Sequence, residues 1–276
     1  EVLVPEPGYV AYEPVISLAG AKYVAVPTEA ATRFVVTVDA LRARLTPATK
    51  AILLGYPSNP TGAVLDHPSM EVIARFADEN DLLVISDELY DRLVYGVPHV
   101  CFASLPGMRE RTILLGGFSK AYAMTGWRLG YAAAPERVLE AMMKVHQYVM
   151  MSAPTAAQYA AIEALQNGEE DVRGMVAEYD RRRKLVFQRF QALGLDTVEP
   201  HGAFYAFPDI RSSGVPDDVQ FAEQLLKEER VAVVPGSTFG ASGRGFVRVC
   251  YAASYDDLEE AMVRIERFVT RHRAAR

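Results

Sequence analysis

The 276-residue sequence predicts an α/β fold: a mostly parallel sheet sandwiched between helices, with a smaller α+β domain at its C-terminal end. Three observations carry that expectation. Apolar runs of four to six residues alternate with segments of helical period through the first half of the chain. Each run is apolar throughout rather than at every second position, as strands covered on both faces require. Beyond the long charged segment at residues 169–193, shorter strands and helices follow that suit a compact α+β unit. The division expected from this change gives residues 1–177 to the larger domain and residues 178–276 to the smaller.

The elements follow in order. Residues 2–4 read as a strand, and Tyr12, Val15, Ile16 and Ala19 fall at helical spacing after the turn Pro5-Glu6-Pro7-Gly8. Residues 22–26 form a second strand, 39–45 a short helix and 50–55 a continuous apolar strand. Pro68 suits the first turn of a helix whose buried side would be Met70, Ile73, Ala74 and Ala77. Strands at 82–85 and 112–115 complete the expected sheet. Helices are expected at 135–151, 155–165 and 169–193, the last ending at Gly194 and carrying the basic run 181–184 as a solvated face. Strands at 202–207, 231–234 and 246–251 and helices at 217–229 and 255–271 fill the smaller domain.

Half the residues are apolar, 23% are charged and the net charge is -6, so nothing favours nucleic acid or an anionic membrane as partner. No apolar run approaches the ~20 residues of a membrane span. Cys101 and Cys250 are isolated and lack metal-ligand spacing, which fits a reducing, cytoplasmic setting and gives no metal site. The first residues read as a strand already under way rather than as a signal peptide.

Ligands of parallel sheets gather at the carboxyl ends of the strands, and three of those ends carry the chemistry. After residues 50–55 comes Tyr56-Pro57-Ser58-Asn59-Pro60-Thr61-Gly62, a turn stiffened by two prolines that presents Asn59. After residues 82–85 comes Ser86-Asp87-Glu88-Leu89-Tyr90, an acid at a strand end that either meets a cation or caps a turn. After residues 112–115, two glycines lead to Lys120, with Arg128 eight residues on and only uncharged residues between. A buried amine in such a place is a nucleophile for a carbonyl, and the guanidinium fork suits a phosphate. A ligand with both an aldehyde and a phosphate, such as pyridoxal 5′-phosphate, satisfies both. Arg248 lies in an apolar strand, where it needs either a carboxylate ligand or a structural ion pair.

The run Gly117-Phe118-Ser119-Lys120, two free positions, Ala123-Met124, one free position, Gly126, one more, and Arg128-Leu129-Gly130 resembles the pyridoxal-phosphate attachment signature of class I/II aminotransferases of fold type I. The resemblance covers nearly all of the chain. It implies transfer of the amino group of an α-amino acid to a 2-oxo acid, in a ping-pong cycle, through a Lys120 aldimine. It gives Asp87 to the pyridine nitrogen, Asn59 and Tyr90 to the phenolate oxygen and Arg128 to the phosphate. Lys120 would also move the proton between the substrate Cα and the cofactor. Arg248, with Asn59, would hold the substrate α-carboxylate. Tyr9 falls where the family stacks an aromatic ring on the cofactor, though packing explains a tyrosine there equally well.

The resemblance further implies a homodimer, with residues 150–155 reaching the neighbouring subunit or merely packing a helix junction. Residues 234–240 resemble the family's loop near the substrate entrance. Two departures stand out: Gly117 occupies a place where the family often has Ser, and the family's upstream segment, with its phosphate-binding helix N-terminus, is expected to be missing from this chain. The alternatives are a C–S β-lyase of the same fold, the aminotransferase-like sensor domain of a transcription regulator, or an inactive remnant.

Overall fold

The computed structural model describes residues 1–274. Six strands form the main sheet: β1 (Val2–Glu6), β2 (Tyr23–Pro27), β3 (Ala51–Gly55), β4 (Leu83–Asp87), β5 (Thr112–Gly117) and β6 (Gly130–Ala133). Their order is β2-β1-β3-β4-β5-β6. The first five run parallel, whereas β6 pairs antiparallel with β5. The largely parallel sheet expected from the apolar runs is therefore present, with one strand the pattern did not reveal. Gly130, Tyr131, Ala132 and Ala133 offer no β-branched side chain and are largely exposed, so β6 leaves little hydrophobic signature.

Helices α1 (Tyr12–Leu18), α2 (Val38–Arg42) and α3 (His67–Glu79) connect the strands. The start of α3 follows from local chemistry: the Asp66 carboxylate accepts from the Ser69 N–H at 2.8 Å, and Pro68 sits in the first turn. Its buried side is Met70, Ile73, Ala74, Phe76 and Ala77, which packs on Leu3, Ile52, Leu54 and Val84 of the sheet.

Helices α4 (Glu136–Val149), α5 (Thr155–Asn167) and α6 (Glu169–Ala192) follow. The position between residues 177 and 178 lies inside α6, which touches α5 as well as a C-terminal element, helix α8 (Tyr255–Ala274). The basic run on α6 is not uniformly solvated. Arg183 is buried and donates to Asp180 at 2.8 Å, to Glu199 at 2.6 Å and to the Pro200 carbonyl at 3.1 Å. A helical period turns one residue of any four-residue run inward, and two carboxylates here make that burial tolerable.

The C-terminal part adds β7 (Tyr205–Ala206), α7 (Asp218–Glu229), β8 (Val234–Pro235) and β9 (Val247–Cys250), forming an antiparallel sheet in the order β7-β9-β8. The strand expected at 202–207 is short because its beginning bonds elsewhere. Gly202 N–H donates to the Gly62 carbonyl at 2.9 Å and Ala203 N–H to the Leu93 carbonyl at 2.9 Å. Likewise, β8 retains only the end of the strand expected at 231–234. Phe34 meets Phe207 and Phe246 edge-on at 5.7 and 5.5 Å, so the two sheets share buried aromatic surface.

The turn after β3 is locked between these parts. Ser58 N–H donates to Ala63 O at 2.8 Å, and Gly62 O receives the N–H groups of His201 and Gly202. Gly62 has φ +70°, and a Cβ there would lie 2.3 Å from Pro200 Cβ. Gly62→Ala should lower unfolding stability by roughly 2–4 kcal/mol, combining left-handed strain with overpacking, read as a lower denaturation midpoint at unchanged slope.

Candidate active site

Strands β3 and β4 end level with one another, Gly55 pairing with Asp87, and β5 continues two residues past Leu115, the partner of Asp87. Chain order reverses between β1 and β3, so the loops leaving these strands part and open a crevice, as at the switch point of other parallel sheets. A cavity of about 210 Å³ lies there, lined by Tyr9 and Tyr12 after β1, Asn59 after β3, Asp87 and Tyr90 at β4, Lys120 after β5, and Tyr205 and Arg248 from the second sheet. Six of the seven residues singled out in the sequence thus come together. The exception is Arg128, which is exposed, outside the lining, and donates to the Thr125 carbonyl at 2.9 Å.

Asp87 is the electrostatic centre. Its carboxylate accepts from the Tyr12 hydroxyl at 2.7 Å and from the Leu89 N–H at 3.2 Å. Burial pushes its pKa above the ordinary carboxylate value, against the lowering effect of these two hydrogen bonds. No basic side chain pairs with it among the described residues. A protonatable nitrogen from a ligand would relieve that cost.

Tyr12 was visible in the sequence only as part of a helical stripe. Its phenol is held neutral by burial and by the Asp87 charge, so it serves as a donor. Gly55 makes room for it, since a Cβ there would lie 2.4 Å from the Tyr12 hydroxyl.

Across the cavity, Arg248 Nη1 donates to Asn59 Oδ1 at 2.8 Å. Arginine has no acceptor, so this contact fixes the amide: its oxygen faces Arg248 and its NH₂ is turned elsewhere. The guanidinium lies over the rings of Tyr205 at 4.4 Å and Phe239 at 4.9 Å. Its Nε is buried without a hydrogen-bond partner among the described residues. Of the two uses open to a cation in that strand, a structural ion pair is absent among the described residues, and an anion acceptor remains.

The Tyr90 hydroxyl lies 3.0 Å from that of Tyr205, and burial drives the Tyr90 phenol pKa upward. Tyr205 was not distinguishable in the sequence from the strand around it. Lys120 is half-buried, with its amine 5.7 Å from the Phe204 ring centre and no carboxylate partner among the described residues. Tyr9 is 44% exposed and meets Tyr12 edge-on at 5.5 Å. An amine, an uncompensated carboxylate and an arginine short of an acceptor fit a ligand that brings a carbonyl carbon, a basic ring nitrogen and a carboxylate-bearing substrate. A second cavity of about 320 Å³ beside α5 and α6 has only Tyr122, Glu163 and Asp171 as ionisable groups and lacks such a set.

Comparison with known proteins agrees. The model of the family described as aminotransferase class I and II matches residues 1–265. An aspartate aminotransferase of Pyrococcus abyssi is 50% identical over 270 residues, covering 97% of this chain and 69% of the relative. An aromatic-amino-acid aminotransferase of Thermococcus litoralis is 49% identical over 270 residues, with 97% and 69% covered. The crystal structure of an aromatic aminotransferase from Pyrococcus horikoshii superposes with a TM-score of 0.95 at 50% identity, covering 98% of this chain and 73% of that one. The chain thus spans about seven tenths of the length of these relatives. It belongs to the class I and II aminotransferases, pyridoxal-phosphate-dependent enzymes that exchange amino groups between amino acids and 2-oxo acids.

Proposed function

We propose that this transamination is performed by Lys120, Asp87, Asn59, Tyr90, Tyr9, Arg128 and Arg248, in the roles that follow. The observation that carries the reading is the convergence of Lys120, Asp87 and Arg248 on one cavity, each without an oppositely charged side-chain partner among the described residues. Pyridoxal phosphate, when bound, supplies a carbonyl carbon for the amine and a ring that takes up the electrons released at Cα.

Asp87 holds the ring nitrogen and keeps it protonated; the Tyr12 hydroxyl holds Asp87 in place. Asn59, whose amide is oriented by Arg248, turns its NH₂ to the phenolate oxygen, and Tyr90 donates to the same oxygen. Tyr9 covers the ring face. Arg128 takes the phosphate; among the described residues it bonds only a carbonyl of its own turn, leaving guanidinium N–H groups for an anion. Lys120 holds the cofactor covalently and, once released, moves the proton at the substrate Cα. Arg248, which lines the cavity, binds the α-carboxylate through guanidinium N–H groups that Asn59 leaves free.

Residues 1–177 would supply the cofactor half of the site and residues 178–276 the carboxylate clamp, with α6 bridging them. A homodimer is supported by consecutive exposed apolar side chains at Tyr148, Val149, Met150 and Met151, a patch that a second copy would cover through residues 150–155. The two free cysteines suit the cytoplasm. No described helix is long and apolar enough to cross a membrane. The names of the relatives direct the donor screen first to aspartate and aromatic amino acids.

Lys120→Ala should lower kcat by roughly 10²–10⁴-fold or more in a coupled assay of 2-oxo acid formation, and should lose the cofactor on dialysis after borohydride treatment. Retention of the reduced cofactor by that variant would refute the lysine assignment. Arg248→Lys should raise the donor KM by about 10–100-fold with a smaller change in kcat, since a point charge replaces a two-pronged donor.

Asp87→Asn has two expected consequences. A carboxyl whose pKa is higher in the folded than in the unfolded chain loses stability as pH rises through that interval. The cofactor-free variant should therefore melt at a higher temperature than wild type at pH 7, with a smaller difference at pH 4. Its kcat should fall by roughly 10–1,000-fold, the equivalent of one to three pKa units withdrawn from the ring nitrogen.

A further inference from the structure

Glu6, the last residue of β1, is 7% exposed, and no basic side chain pairs with it among the described residues. Its backbone carbonyl receives the Thr28 N–H at 2.8 Å and the Thr28 hydroxyl at 2.9 Å, which fixes the strand end. Its side chain points out of the main sheet to a distant part of the chain: Oε1 accepts from the Ser242 N–H at 2.8 Å. A buried carboxylate is costly unless hydrogen-bonded, so this contact is a strong one for both ends.

Ser242 belongs to the loop 236–243, which folds tightly on itself. A Cβ on Gly236 would lie 2.0 Å from the Gly243 carbonyl oxygen, and the Ser237 N–H donates to Asp218 at 2.7 Å. The loop is thus a compact turn, anchored to α7 through Asp218. Gly240, at φ +114°, leaves the space that Glu6 fills; a Cβ there would lie 2.2 Å from the Glu6 carboxyl carbon. Beside this contact, the Gly8 N–H donates to the Phe239 carbonyl at 3.0 Å. Phe239 is buried, and its ring carries the Arg248 guanidinium at 4.9 Å.

We propose that Glu6 is a positioning residue for substrate binding: its carboxylate latches loop 236–243 to the end of β1 and thereby holds Phe239 against Arg248. The latch acts on binding rather than on proton transfer, because Glu6 is not among the residues lining the cavity with Lys120 and Asp87. The proposal rests on the reading of Arg248 as the substrate carboxylate clamp, and its consequence is specific: loosening the latch weakens amino and oxo acids alike while the cofactor stays bound.

The test compares wild type, Glu6→Ala and Glu6→Gln in the full-length, cofactor-loaded enzyme. Glu6→Ala should speed amide hydrogen exchange in the peptide covering residues 236–243 and raise KM for donor and acceptor by about tenfold, the effect of losing one charge-assisted hydrogen bond. Its kcat should change less than about twofold and its cofactor absorption not at all, since no group at the reacting atoms is altered. Glu6→Gln, which keeps an acceptor oxygen for Ser242, should restore slow exchange and most of the affinity. Gly240→Ala, which displaces the loop from the other side, should reproduce Glu6→Ala. Unchanged exchange and KM in Glu6→Ala, or equal losses in the alanine and glutamine variants, would overturn the latch. Faster exchange with unchanged KM would likewise overturn the positioning role, whereas the assignment of Arg248 fails separately, if Arg248→Lys leaves KM unchanged.

Discussion

A strand that is apolar on both faces and covered by helices can carry charge only where it stops. That constraint governs this molecule. Strands β3, β4 and β5 lie side by side in parallel register, so the polar residues that follow them are delivered to one edge. Asn59, Asp87 and Lys120 lie far apart in sequence and are neighbours because their strands share that end. The reversal of chain order between β1 and β3 adds the tyrosines that follow β1.

The charges so assembled are poised for a ligand rather than for each other. Asp87 keeps hydrogen bonds but no cation among the described residues, and its proton affinity rises accordingly. Arg248 gives one donor to Asn59 and rests on two aromatic faces, with no carboxylate partner among the described residues. Direct pairing of Asp87 with Arg248 would satisfy both and leave nothing to bind substrate. Instead the acid is held by the Tyr12 hydroxyl and the arginine rests on the Tyr205 ring. Some folding stability is thereby given up where binding can recover it.

The second sheet contributes orientation as much as chemistry. Arg248 is held to the first sheet by Asn59, across 189 residues of sequence. The turn at Gly62 bonds His201 and Gly202, and the end of β1 bonds Phe239 and Ser242. These contacts come from loops that the hydrophobic period does not describe. They are polar, nearly all of them made by backbone groups, and distant along the chain.

Much was legible in advance for physical reasons. Apolar runs without alternation announced a covered parallel sheet, Pro68 a helix start, and the lysine–arginine signature a cofactor loop. Where the signal was weak, the structure departed: β6 lacks branched side chains, residues 201–203 bond to other loops, and Arg183 turns inward to two acids. Tyr12, Tyr205 and Glu6 carry no local mark that separates a tyrosine or glutamate at a site from one elsewhere. By itself the sequence determined most of the strands and helices and pointed to an amine, an acid and a guanidinium at strand ends, because periodicity and residue type are local properties. Only the tertiary structure decided which neighbours hold those groups, and that Arg128 stands apart from the cavity, because hydrogen bonds between loops depend on distances that no local pattern encodes.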